Sequence, residues 1–214
     1  MKGLLIKDWK LLKNQGRFFI VIIMISILIS LFGSRTYSGF TTSYLTFALS
    51  MFILSTLSYD NYDNGMAFLL SLPISRKIYV KEKYLFALFL TFGFWLIFFL
   101  IDLLVFSIRY SSRESLQILC QSPVYLALIL LFLSYSIPLH LKFESEKGRM
   151  MSFGILGLFS LGIFCIVRLG MLAALQQILT ESLSMIIGAS AVFCLLSFGI
   201  SYRISVKIME KKEF

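Results

Sequence analysis

Long apolar runs separated by short polar islands make up almost the whole chain. Six runs have the length of membrane spans: Phe18–Phe32, Phe40–Leu57, Tyr84–Ile108, Pro123–Leu141, Met150–Val167 and Leu183–Tyr202. With their flanks they place spans at about 18–33, 40–57, 84–108, 123–141, 150–168 and 183–202. The first run has 15 residues, about 22 Å of helix against a hydrocarbon core of about 30 Å, so it must draw in its flanks or thin the bilayer. The third has 25 residues, about 37 Å, so it tilts or projects beyond the membrane. The pattern predicts an all-α membrane protein and a single transmembrane domain over 1–214.

Two stretches depart from this pattern. Residues 2–17 are amphipathic. On a helical wheel Lys2, Lys7, Lys10, Lys13 and Arg17 fall within an arc from about 200° to 340°, and Leu4, Leu5, Trp9, Leu11 and Leu12 occupy about 20° to 180°. This describes an N-terminal helix lying in the membrane interface over residues 1–17, with Trp9 and Lys10 on its two faces. Asp8 is misplaced, near about 80° in the apolar arc, where a carboxylate is costly unless paired. Its partner is either a lysine a turn away or another cytoplasmic element, such as the 58–83 loop or a partner subunit.

The second departure is residues 58–86, a charged island that cannot cross a bilayer. At its centre the amphipathic patch Phe68–Val80 is interrupted by Pro73. It is expected to lie at the membrane surface and present a short helix to a partner.

Composition agrees with the run pattern. The chain has 214 residues, is 58% hydrophobic and only 14% charged, with a mean hydropathy of +0.88, whereas soluble domains carry about 25% charge. The net charge of +9 is a topology signal. Sixteen basic residues lie at the termini and in the loops after spans two and four, and four (Arg35, Arg109, Arg113, Arg168) lie on the other side. The positive-inside rule then places both termini in the cytoplasm, which an even number of spans requires. Nucleic acid is not an expected partner; membrane lipids are.

The candidate chemistry is sparse. There is no phosphate-binding loop of the form Gly-x4-Gly-Lys-[Ser/Thr]; Gly157 and Gly162 have the glycine spacing, but Ile163 follows. Cys120, Cys165 and Cys194 lack metal-ligand spacing and read as small apolar residues. The lone His140 reads as a helix-end cation or surface residue. No catalytic set, metal site or bound cofactor is expected. Asp102 is the one ionisable group well inside a span, and such groups are functional candidates. It either pairs with Arg109 or Arg113 near the outer interface or lines a translocation path. Small residues in spans five and six (Gly154, Gly157, Gly162; Gly188, Ala189, Ala191, Gly199) suit close helix packing. Leu169–Ser182 has helical spacing for a short outer-leaflet helix.

Taken together, the basic amphipathic start Met1-Lys-Gly-Leu-Leu-Ile-Lys-Asp-Trp-Lys, the six runs and the stretch Asp60–Gly65 to Leu69-Leu-Ser-Leu-Pro-Ile-Ser-Arg-Lys77 resemble the membrane subunit of type-two ATP-binding-cassette (ABC) exporters. Within that group the chain is most similar to the small bacterial permeases for phenol-soluble modulins and related amphipathic peptides. The resemblance implies a six-span permease of the bacterial cytoplasmic membrane, working as a dimer with two copies of a separate ATPase that binds ATP and Mg. It implies a cytoplasmic coupling helix between spans two and three, in which Phe68, Leu69, Leu72, Pro73, Ile74, Ser75, Arg76 and Lys77 meet the ATPase. The N-terminal helix, with Asp8, Trp9 and Lys10, would rest beside it. The competing readings are an ATP-independent carrier or channel, and a membrane protein conferring immunity to a peptide.

Overall fold

The computed structural model describes residues 2–32, 37–62, 65–109, 113–143, 145–168 and 183–212. All of the regular structure in these residues is helical: α1 (Lys2–Asn14), α2 (Gly16–Phe32), α3 (Tyr37–Ser50), α4 (Phe52–Asn61), α5 (Gly65–Ser71), α6 (Arg76–Arg109), α7 (Arg113–Lys142), α8 (Ser145–Arg168) and α9 (Leu183–Lys211). Three of them, α6, α7 and α9, are long and apolar enough to cross a membrane within the described residues. A fourth crossing is added if α1 and α2, which meet at 62°, are counted as one broken span. The proposed outer helix at 169–182 lies outside the described residues.

The helices overrun the apolar runs because a helix need not stop where hydrophobicity does. α6 starts at Arg76, two turns before the apolar run at Tyr84, and α9 continues nine residues past Tyr202 to Lys211. The expected second span, by contrast, is divided at Met51 into α3 and α4. The expected interfacial helix is also shorter, ending at Asn14, and the chain turns at Gln15, whose amide donates to the carbonyls of Leu11 (3.3 Å) and Leu12 (3.1 Å).

At the centre, α3, α4, α6, α7 and α9 pack around Leu49, Ile53, Leu57, Val80, Ala87, Leu133, Ile137 and Met209, all at most 1% exposed. Phe19 of α2 joins this core by stacking on Phe94 and meeting Phe52 edge-on.

Several polar links between the long helices lie toward one end, while the Trp95 indole of α6 donates to the Ser122 carbonyl of α7 (3.1 Å) farther along. Pro138 lies inside α7 and has no N–H to give the carbonyl of Ser134, four residues earlier. The Ser201 hydroxyl of α9 donates to that carbonyl. The Tyr84 hydroxyl of α6 bonds both Ser201 (2.5 Å) and Ser205 (2.8 Å). The backbone defect thus becomes the point where α6, α7 and α9 are tied. His140, one turn from the same end of α7, is buried rather than at the surface. α8 approaches it so closely that a Cβ on Gly148 would lie 3.1 Å from the His140 Cα.

Candidate functional site: a buried ion cluster beneath an exposed turn

The polar island folds as a helix, a turn and a second helix. Pro73 cannot donate a helical hydrogen bond and disfavours helix in the residue before it, and α5 accordingly ends at Ser71 while α6 begins at Arg76. The interruption expected at Pro73 thus divides the 68–83 stretch into two helices, parted at Leu72–Ser75. The Ser75 hydroxyl accepts from the Ile78 amide at 3.3 Å, taking up one of the unpaired donors at the start of α6. Gly65 lets α5 fold back on α4, since a Cβ there would come within 3.0 Å of the Asp60 carbonyl oxygen.

The eight residues expected to meet an ATPase divide by exposure. Phe68 (70% exposed), Leu72 (42%), Pro73, Ser75 and Lys77 face outward. Leu69 and Ile74 pack against the core. The Arg76 guanidinium turns back to α9 and donates to the carbonyls of Met209 (3.1 Å) and Glu210 (2.8 Å), among the last carbonyls of that helix, which have no partner within it. Lys77 pairs with Glu210 at 3.3 Å.

Behind the turn lies a cluster of buried charges. Lys83, fully buried on α6, uses all three ammonium donors: Asp8 of α1 at 2.5 Å, Asp60 of α4 at 2.8 Å and the Thr56 hydroxyl of α4 at 3.3 Å. Lys7 bonds Asp60 and lies 3.4 Å from Asp8. The Tyr79 hydroxyl donates to Asp60 at 2.9 Å. Two spacings produce this convergence. Thr56 and Asp60 are four residues apart on α4, and Tyr79 and Lys83 are four apart on α6, so each pair shares a helix face.

Burial opposes the charge on Asp60, but Lys83 and then Lys7, through charge and hydrogen bonding, outweigh it and hold the carboxyl below its ordinary value. Glu82 is also buried, with neither carboxylate oxygen hydrogen-bonded. Burial pushes the Glu82 carboxyl up to about 7, so near neutral pH it adds only part of a negative charge to the cluster.

Asp8 therefore pairs chiefly with the island's far end and not with a lysine a turn away along α1. Trp9 is 51% exposed and Lys10 is exposed, so neither joins the cluster. Asp102 is buried and accepts a hydrogen bond from the Thr42 hydroxyl of α3. The Arg109 and Arg113 side chains lie outside what is described, and so does the expected outer ion pair. Sequence reasoning did not single out Lys7, Thr56, Asp60, Tyr79, Glu82 or Lys83. The two polar pairs at four-residue spacing beside apolar runs were the available signal.

Among the described residues no set of histidine, cysteine and carboxylate side chains is placed to hold a metal ion. The arrangement is mechanical: it locks the amphipathic α1 and the end of α4 to the base of α6, and leaves an apolar and basic turn projecting. A protein-family profile described as ABC-2 family transporter protein matches residues 3–210. No curated protein and no solved structure matches the chain. The chain belongs to the ABC-2 transporter family, as a multi-pass membrane component of a permease type that pairs with an ATPase subunit and does not hydrolyse ATP itself.

Proposed function

We propose that this chain is the permease of an ATP-driven exporter with six spans and both termini in the cytoplasm, and that the turn between α5 and α6 is where a separate ATPase engages it. The observation that carries this reading is the contrast between the turn's two sides. Outside, Phe68, Leu72, Pro73, Ser75 and Lys77 are exposed. Inside, the Lys83 cluster and the Arg76 clasp fix the same turn to α1, α4 and α9. A displacement imposed on the exposed side is passed to α1, α4 and α9 through these contacts. ATP and Mg belong to the partner subunit. Two permease copies would enclose the path between them, and an amphipathic peptide that already partitions into lipid is the cargo that suits such a path. The broad apolar face of α2, with Phe18, Ile20, Val21 and Met24 all exposed, is available to lipid or to the second copy.

Replacing Phe68 and Leu72 by aspartate tests this reading. Both side chains are exposed, so insertion and folding should be retained, while stimulation of the ATPase and export should be lost together. Export at the normal rate in that variant would overturn the assignment.

A further inference from the structure

A second basic surface flanks the same turn. On α9, Ile200, Arg203, Ile204 and Lys207 recur at positions i, i+3, i+4 and i+7, so they share one face. Ser201, Ser205 and Met209 on the other side of the helix are buried. Lys77 from the first turn of α6 completes an open groove of about 690 Å³ along this face. Ile200 and Ile204 are exposed. Arg203 and Lys207 are exposed too, and have no ion pair among the described residues. Lys77 is matched by Glu210. Three cations against one carboxylate leave the groove with an excess of positive charge.

The order of residues along the face matters. The apolar run of α9 ends at Tyr202, so the groove begins in hydrocarbon at Ile200 and ends beyond it at Lys207. One helical turn is about 5.4 Å, so Arg203 and Lys207 stand one above the other at the depth of lipid phosphates. An arginine can hold a phosphate through two parallel hydrogen bonds, and basic pockets at this depth suit anionic head groups. We propose that the groove holds one anionic phospholipid, its phosphate on Arg203 and Lys207 beside Lys77, and an acyl chain along Ile200 and Ile204. Such a lipid would bridge α9 to the first turn of α6, in parallel with the Arg76 clasp. The binding claim stands apart from the ATPase reading, because it is measured with no ATPase present.

The test is native mass spectrometry on the delipidated full-length chain in detergent, titrated separately with phosphatidylglycerol, phosphatidylcholine and inorganic phosphate. The expected result is one retained phosphatidylglycerol adduct and no comparable phosphatidylcholine adduct. The Arg203→Gln/Lys207→Gln double variant should weaken that adduct about thirtyfold, as expected for two basic residues at a membrane surface. A Lys2→Gln/Lys13→Gln variant, which removes the same charge from exposed positions on α1, should leave it unchanged. All four side chains are exposed, and an unchanged melting temperature checks that the variants fold. Equal weakening by both double variants would overturn the proposal in favour of diffuse surface attraction. Equal retention of phosphatidylcholine, or displacement of the lipid by inorganic phosphate, would overturn it as well.

Discussion

Removing the Lys83 ammonium should undock the N-terminal helix. α1 fully buries Leu4 and Asp8, and Leu5, Leu11 and Leu12 pack partly buried against the core. Full burial of a leucine side chain contributes about 1.5–3 kcal/mol, so the Asp8–Lys83 pair stands beside several apolar contacts in holding α1. In Lys83→Met a flexible apolar side chain replaces the ammonium. Asp8, Asp60 and Glu82 then share the one remaining cation, Lys7, which is partly exposed. Breaking a buried ion pair by removing one partner costs about 3–5 kcal/mol. Charged to α1 docking, that is a shift of about 10²- to 10⁴-fold toward the undocked state. Amide hydrogen exchange across Lys2–Asn14, in detergent or nanodiscs, reads this local opening. The exchange of Leu133 and Ile137 in the core should change far less. Asp8→Asn should open α1 by a smaller factor, because Lys83 keeps Asp60 and Thr56. The Asp8→Asn/Lys83→Met double variant should cost less than the sum of its singles, because the uncompensated Asp8 charge is gone. If Lys83→Met left protection across α1 unchanged, the cluster would not be what holds the helix.

Arg76→Gln should fray the end of α9, since two carbonyls lose a charged donor. Hydrogen bonds to charged groups contribute about 1.5–3 kcal/mol, and exchange of the amides near Met209 and Glu210 reports the loss. Asp60 supplies the acid part of the pH response of α1 docking, because its carboxyl is held below its ordinary value of 3.8, whereas the buried Glu82 carboxyl is pushed up to about 7 and acts nearer neutrality. A depressed carboxyl contributes stability that is present above the ordinary value and lost as pH falls through the folded one. The Asp60 contribution should therefore be constant from neutral pH down to about 4 and decline only below it, and Asp60→Asn should abolish that acid step in a pH series of the same exchange measurement.

The helical class, the amphipathic α1 and the interruption at Pro73 were legible because each depends on periodicity or on a backbone constraint that acts locally. Helix ends were not. The helices α6 and α9 run past their apolar segments, held there by Tyr84, Arg76 and Glu210 contacts between residues more than a hundred positions apart. The break at Met51 carries no glycine or proline signal. Asp8 could be recognised as misplaced on its helix face, but its partner could not be named from one helix, because Lys83 is seventy-five residues away. Lys83 itself looked like one more charge in a topology count. Its burial follows from where α1 and α4 dock, which only the tertiary arrangement supplies. Pro123 and Pro138 both lie within α7, as the unbroken apolar run Pro123–Leu141 requires, and at Pro138 a serine on α9 takes up the carbonyl the proline leaves free.

The most direct test of the central claim is transport in proteoliposomes holding this chain, with and without its partner ATPase, presented with a panel of amphipathic peptides. The account predicts accumulation of at least one peptide that requires both the ATPase and ATP and is abolished by Phe68→Asp/Leu72→Asp. Peptide transport driven by a proton or sodium gradient with no ATPase present would contradict it.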